Sequence, residues 1–175
     1  MVHYIFQKVL AEMEDLVAKL LEKASEQCIV VIVTNADVGW VEFTSAKLMP
    51  KVFHIIQKQI PVLSTRKLVE ETIKSKGNLN GQNFKMTVFS QLRNEETIFD
   101  FDELSNLIVI GDSNYEIDAA NMLTKSLPSG FTKTVKLAEK PSPEEMIRQT
   151  KMLIEKWDYI LGQKKNLKIR MQRHK

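Results

Sequence analysis

The 175-residue chain is long enough for one compact domain with a buried core, and its composition, 43% hydrophobic and 27% charged, is that of an ordinary globular protein. No apolar stretch reaches the roughly 18–20 residues that a membrane span requires, and the one cysteine cannot form an internal disulfide. We therefore expect an intracellular, cytoplasmic protein that does not contact the membrane. The net charge is +3, but six of the 25 basic residues lie in 164–175, which leaves 19 basic against 22 acidic residues elsewhere.

The first half of the chain alternates helix-like and strand-like patterns. Apolar residues recur at steps of three and four over residues 2–26, which predicts an amphipathic helix. The unbroken apolar run at 29–33 predicts a parallel strand that is covered on both faces. A second helix is predicted at about 40–58, followed by a short strand at 61–64.

The second half continues the same alternation. Its predicted elements are a loop at 75–83, a helix at about 84–93, an apolar strand at 107–110, a helix at 114–124, a weaker strand near an edge at 135–137 and a helix from Ser142 to about 160. The alternation predicts an α/β fold, a three-layer sandwich around a mostly parallel, Rossmann-like sheet that contains both apolar strands. We assign this domain to residues 1–162 and a basic tail to 163–175.

Thr34 and Asn35 directly follow the first apolar strand. A hydroxyl and free backbone N–H groups at a strand's carboxyl end can hold a phosphate oxygen, so both residues are candidate phosphate ligands. The alternative is a turn in which both side chains bond the local backbone.

Asp112 and Glu116 follow the second apolar strand, four residues apart. Carboxylates on a strand tip and in the next helical turn can converge on Mg²⁺, which proteins hold with one or two carboxylates, phosphate and water. The alternative is structural, because Ser113 and Glu116 also have the spacing of a capping box.

Lys85 opens the predicted helix before that strand and could neutralise a bound phosphate. The alternative is an exposed helix lysine, and Lys67 is the reserve candidate. We expect Thr34, Lys85, Asp112 and Glu116 to converge at one edge of the sheet, because ligands bind beyond the carboxyl ends of parallel strands.

Together these residues resemble the haloacid-dehalogenase (HAD) superfamily of aspartyl phosphatases and phosphotransferases, in particular a plant- and protist-type branch. The second motif of the superfamily, an apolar strand ending in Ser or Thr, matches Ile29–Thr34. The third, a lysine, matches Lys85, and the fourth, an apolar strand with Gly-Asp and a further acid, matches Leu107–Glu116. The resemblance covers about residues 5–155 and implies a HAD-like fold with a Mg²⁺-dependent phosphatase site.

The chain departs from this family at the first motif, Asp-x-Asp-x-Thr or Val, which should precede the helix at 2–26 and has no match there. Asp100 and Asp102 imitate the motif but come before the strand at 107–110, where we expect a surface loop. In this family the first aspartate attacks phosphorus and ligates Mg²⁺, so without it we expect no turnover. The resemblance also implies a central strand between those at 29–33 and 107–110.

We therefore interpret the chain as a phosphatase-like pseudoenzyme, a structural or binding subunit. A partner strand would complete or cover its sheet, since buried unpaired backbone groups are costly. The alternative is a Mg²⁺-dependent phosphatase whose nucleophile motif lies outside this chain. The basic tail is either solvated or a contact for an acidic protein or a nucleic acid.

Overall fold

The computed structural model describes residues 2–67, 70, 105–124 and 130–172. The chain divides into two compact units. One contains the described residues up to Lys67 together with Pro141–Trp157, and the other contains those within 68–140 and 158–175. The predicted loop at 75–83 and the predicted helix at 84–93 lie outside the described residues.

The first unit combines a parallel pair of strands with helices. The elements are α1 (Val2–Ser25), β1 (Ile32–Thr34), α2 (Trp40–Leu48), α3 (Pro50–Gln59), β2 (Val62–Ser64) and the larger part of α5 (Pro143–Gly162). Ala18, Val52 and Ile56 form a buried cluster where α1 meets α3. Glu14 accepts the backbone N–H of Lys51 at 2.7 Å, so α1 caps the first turn of α3.

The predicted helix at 40–58 is in fact two helices. Met49 leaves the helical region at φ −143° and ψ 68°, and Pro50 begins α3. A proline ring disfavours the helical conformation in the residue before it and suits the first position of a helix, which explains the break. The first of the two helices, α2, begins after Gly39, whose φ of +81° favours glycine.

The second unit is a three-stranded parallel sheet in the order β3 (Asn106–Gly111), β4 (Phe131–Lys136), β5 (Leu167–Arg170). The helix α4 (Asn114–Thr124) packs against β3 and β4 and buries Ala119 and Ala120. Lys133 of β4 is fully buried, and its Nζ donates to the carbonyl of Leu161 at 2.6 Å. This ammonium therefore satisfies one of the carbonyls at the end of α5, as cations near a helix C-terminus do.

The predicted α/β class and the parallel pairing of its strands are confirmed, and so are the helices at 2–26, 114–124 and 142–160. The strand predicted at 29–33 is shorter and later, and Ile29, predicted to be buried, is 67% exposed. The strand at 107–110 is present but half-buried. Among the described residues β1 pairs with β2 and β3 with β4, in two separate sheets, so the three-layer sandwich remains a prediction.

The structure differs from the sequence predictions at two further points. The strand predicted at an edge around Val135 is the central strand of its sheet and is buried along Thr132–Lys136. The tail is not simply solvated, because Leu167–Arg170 forms β5 and the Met171 N–H donates to the Lys136 carbonyl at 2.8 Å. Hydrogen bonds to β4 fix this segment, and sequence charge alone did not reveal them.

Candidate functional site

The carboxyl ends of β1 and β2 carry a cluster of polar side chains, formed by the hydroxyls of Thr34, Ser64 and Thr65 and the amide of Asn35. Register places Thr34 opposite Ser64. The Thr34 hydroxyl oxygen accepts the Ala36 N–H at 3.1 Å, and Ser64 Oγ donates to the Ala36 carbonyl at 2.7 Å. Thr65 Oγ1 donates to Asn35 Oδ1 at 2.7 Å. The local turn weighed as the alternative is therefore present for Thr34, whereas the described bond of Asn35 is to the side chain of Thr65.

This turn still leaves donors for an anion. The bonds described for Thr34 and Asn35 use their oxygens as acceptors, so the Thr34 O–H and the Asn35 amide N–H₂ have no partner among the described residues. Asn35 is exposed, and Arg66 lies beside the cluster in an exposed ion pair with Asp37. The phosphate-binding assignment of Thr34 and Asn35 thus remains a prediction that the local geometry permits.

The carboxyl end of β3 is organised by Glu116. Its Oε2 accepts both the backbone N–H and the hydroxyl of Ser113, at 2.8 and 2.6 Å. A Cβ on Gly111 would lie 2.7 Å from this oxygen, so the glycine makes room for the carboxylate. The bond from the Ser113 N–H to the Glu116 carboxylate is one half of a capping box, the structural alternative for Glu116. Asp112 is exposed.

Lys136 is the residue at this end that the sequence analysis missed. It ends β4 in register with Gly111, and its side chain is only 10% exposed. Its Nζ donates to the Asp112 carbonyl at 2.6 Å, the Leu137 carbonyl at 3.3 Å and Glu139 Oε1 at 2.9 Å. The hydrogen bond from Lys136 lowers the pKa of the Glu139 carboxyl. A lysine that follows an apolar strand residue at the carboxyl end of a strand was the available signal, but the strand had been assigned to an edge.

The predicted convergence of four residues is not settled by this geometry. Thr34 and Asn35 belong to one unit, and Asp112 and Glu116 belong to the other. Lys85 lies outside the described residues, as do Asp100 and Asp102. The described part of the chain contains no group of three or more His, Cys, Asp or Glu residues that could hold a metal ion, so the Mg²⁺ site at Asp112 and Glu116 stays a prediction.

Comparisons with protein-family models, with curated proteins and with solved structures found no match. The resemblance to the HAD superfamily therefore stays a prediction from the motifs of the sequence. Within the described ranges, none of the helices combines the length and apolar character needed to cross a membrane.

Proposed function

We propose that this chain is a non-catalytic, phosphatase-like binding subunit that accepts a β-strand from a partner polypeptide at the free edge of β3. The observation that carries the proposal is the contrast between the two outer strands of the β3–β4–β5 sheet. The β3 strand is apolar and lacks a described neighbour on its outer side, whereas β5 carries the exposed charged residues Lys168 and Arg170.

The free edge of β3 can be assigned residue by residue. Phe131 N–H donates to the Ser105 carbonyl and Leu137 N–H to the Gly111 carbonyl, both toward β4. Because backbone groups alternate in direction along a strand, Leu107 and Val109 also face β4. The N–H and C=O groups of Asn106, Ile108 and Ile110 therefore point to the side on which no described residue pairs with them.

Burial supports the same conclusion. Leu107–Ile110 is uniformly apolar but only half-buried, while β4 is buried along Thr132–Lys136 although it carries threonines and lysines. Apolar surface left in contact with water costs about 25 cal/mol per Å², so a strand that covers this edge would be stabilised by burial. The edge carries no charge, no proline and no bulge that would repel an added strand.

The site residues favour binding over turnover. Glu116 is engaged with Ser113, and Asp100 and Asp102, which imitate the first motif of the resembled family, come before an apolar strand in the sequence and not after one. The exposed carboxylate of Asp112 favours a second candidate, a Mg²⁺-dependent phosphatase whose nucleophile lies outside this chain. The two candidates share the added strand and differ in whether that strand carries an aspartate at its end.

Two synthetic peptides distinguish these functions. Each contains a short uncharged β-branched strand flanked by lysines for solubility, and one ends the strand in Asp-x-Asp while the other ends it in Asn-x-Asn. We expect both to bind and to protect the amides of Asn106, Ile108 and Ile110 from hydrogen exchange, and we expect neither to produce hydrolysis of an aryl phosphate.

A third peptide with proline inside the strand is the control, because it cannot donate along the edge. If the proline peptide binds with the same affinity as the other two, strand addition is contradicted. Mg²⁺-dependent hydrolysis seen with the Asp-x-Asp peptide, and abolished by Asp112→Ala, establishes the second candidate.

A further inference from the structure

A buried cation joins the carboxyl ends of β3 and β4. The Lys136 ammonium donates to two carbonyl oxygens, of Asp112 and Leu137, and to the Glu139 carboxylate. An ammonium has three N–H donors, and these three acceptors match them. The backbone on either side is also fixed, by Leu137 N–H to the Gly111 carbonyl and Met171 N–H to the Lys136 carbonyl, both at 2.8 Å.

We propose that the Lys136 ammonium is the permanent cation of the Gly111–Glu116 turn, and that this turn is held by the chain itself and does not take Mg²⁺. The proposal concerns the second unit alone and holds whether or not β3 accepts a partner strand.

Charge is the first argument. A divalent cation at the turn would lie beside an ammonium that is already 2.6 Å from the Asp112 carbonyl oxygen, in a place where only a tenth of the lysine side chain meets solvent. Like charges repel more strongly where water is excluded. The lysine also makes the Asp112 carbonyl, a hard oxygen ligand, unavailable to a metal along the direction that Nζ occupies.

The supply of carboxylates is the second argument. Glu116 would have to abandon two hydrogen bonds to Ser113 in order to reach a metal. Glu139, which lies at this end too, is bonded by Lys136, whose hydrogen bond lowers the pKa of that carboxyl. Asp112 is left as the one described carboxylate here without such a bond, which is the minimum of the one or two carboxylates that Mg²⁺ sites use together with phosphate oxygens.

The test uses the full chain and two lysine substitutions. Lys136→Met removes the ammonium and keeps an unbranched chain, and Lys156→Met, on the exposed face of α5, is the matched control. Thermal unfolding is measured in EDTA and in millimolar Mg²⁺. We expect Mg²⁺ to leave the Tm of the unsubstituted chain unchanged. We expect Lys136→Met to lower this Tm by roughly 5–10 °C, because the carbonyls of Asp112 and Leu137 lose the ammonium that donates to them. We expect Lys156→Met to change the Tm little.

Two results would overturn the proposal. One is a Mg²⁺-dependent rise in the Tm of the unsubstituted chain that Asp112→Asn abolishes, since this would show a metal at the turn. The other is a Lys136→Met effect no larger than that of Lys156→Met. Should Lys136→Met fail to fold, calorimetric titration of the unsubstituted chain with Mg²⁺ still decides, because heat of binding that is lost in Asp112→Asn contradicts the proposal.

Discussion

The outer strands β3 and β5 flank the same central strand, but β3 is apolar and β5 carries charged residues. In β5, Leu167 and Ile169 alternate with exposed Lys168 and Arg170. Charged side chains on an edge strand prevent another strand from pairing with it. In β3 the run Leu107–Ile110 carries no charge, and its outer backbone groups have no partner among the described residues. This difference is the reason that we propose an added strand at β3 and not at β5.

The largest expected effect on the free energy of unfolding comes from valine-to-alanine substitution in the central strand β4, compared with the same substitution in β3. Val135→Ala removes methyl groups that are fully buried, so we expect it to lower the free energy of unfolding by about 2–3 kcal/mol. Val109→Ala acts on a half-buried residue of β3 and should cost about 1 kcal/mol. Urea denaturation of both variants checks this, and equal losses would show that β3 is as well covered as β4.

The next largest effect on the free energy of unfolding is expected at the carboxyl end of β3. Ser113→Ala and Glu116→Gln each weaken the capping box at the start of α4 and should each lower the free energy of unfolding by about 1 kcal/mol. The double variant should cost less than the sum, because both substitutions remove one shared interaction. Strict additivity in a double-mutant cycle would mean that Glu116 does not act through Ser113.

The charges of β5 should matter for association more than for stability. Replacing Lys168 and Arg170 together by valine should change the free energy of unfolding by no more than about 0.5 kcal/mol, because both side chains are exposed. The same variant should self-associate in light-scattering measurements, since its β5 edge then resembles that of β3. A variant that remains as monodisperse as the original chain would contradict the claim that these charges prevent association at the β5 edge.

The smallest effect is a pH dependence at the end of β4. The hydrogen bond from Lys136 lowers the pKa of Glu139 from its ordinary value of 4.5. A carboxyl with a lowered folded-state pKa stabilises the protein above its unfolded-state pKa, and that contribution is lost as the pH falls through the folded-state pKa. Glu139→Gln should therefore lower Tm slightly at neutral pH, and the difference should shrink below pH 4.5. A difference that is constant across this range would exclude the ion pair as its cause.

Sequence patterns predicted the elements whose structure depends on a local rule. The periodic apolar face predicted α1, and the cap at Ser142 with Pro143 predicted the start of α5. The break at Pro50 follows a local rule too, but the helical pattern on both sides concealed it. The β5 strand could not be predicted, because Leu167 and Ile169 are two apolar residues in a basic segment and pairing with β4 stabilises them.

In the candidate site too, local spacing predicted one contact, and the others depend on the pairing of strands. The Ser113–Glu116 spacing gave the capping box as an alternative, and the structure contains the half of it in which the Glu116 carboxylate accepts the Ser113 N–H. The contacts of Lys136 required the register between β3 and β4, which joins residues 24 positions apart and leaves no local signal. The pairing of Thr65 with Asn35 likewise depends on β1 lying beside β2.

Residue-resolved amide hydrogen exchange of the isolated chain tests the open edge of β3 most directly. The amides of Leu107, Val109 and Gly111 bond to β4 and should exchange slowly, whereas those of Asn106, Ile108 and Ile110 should exchange much faster along the same strand. Binding of the uncharged strand peptide should slow the second set to the rate of the first. Equally slow exchange of both sets in the isolated chain would show that this edge is already paired and would contradict strand addition at β3.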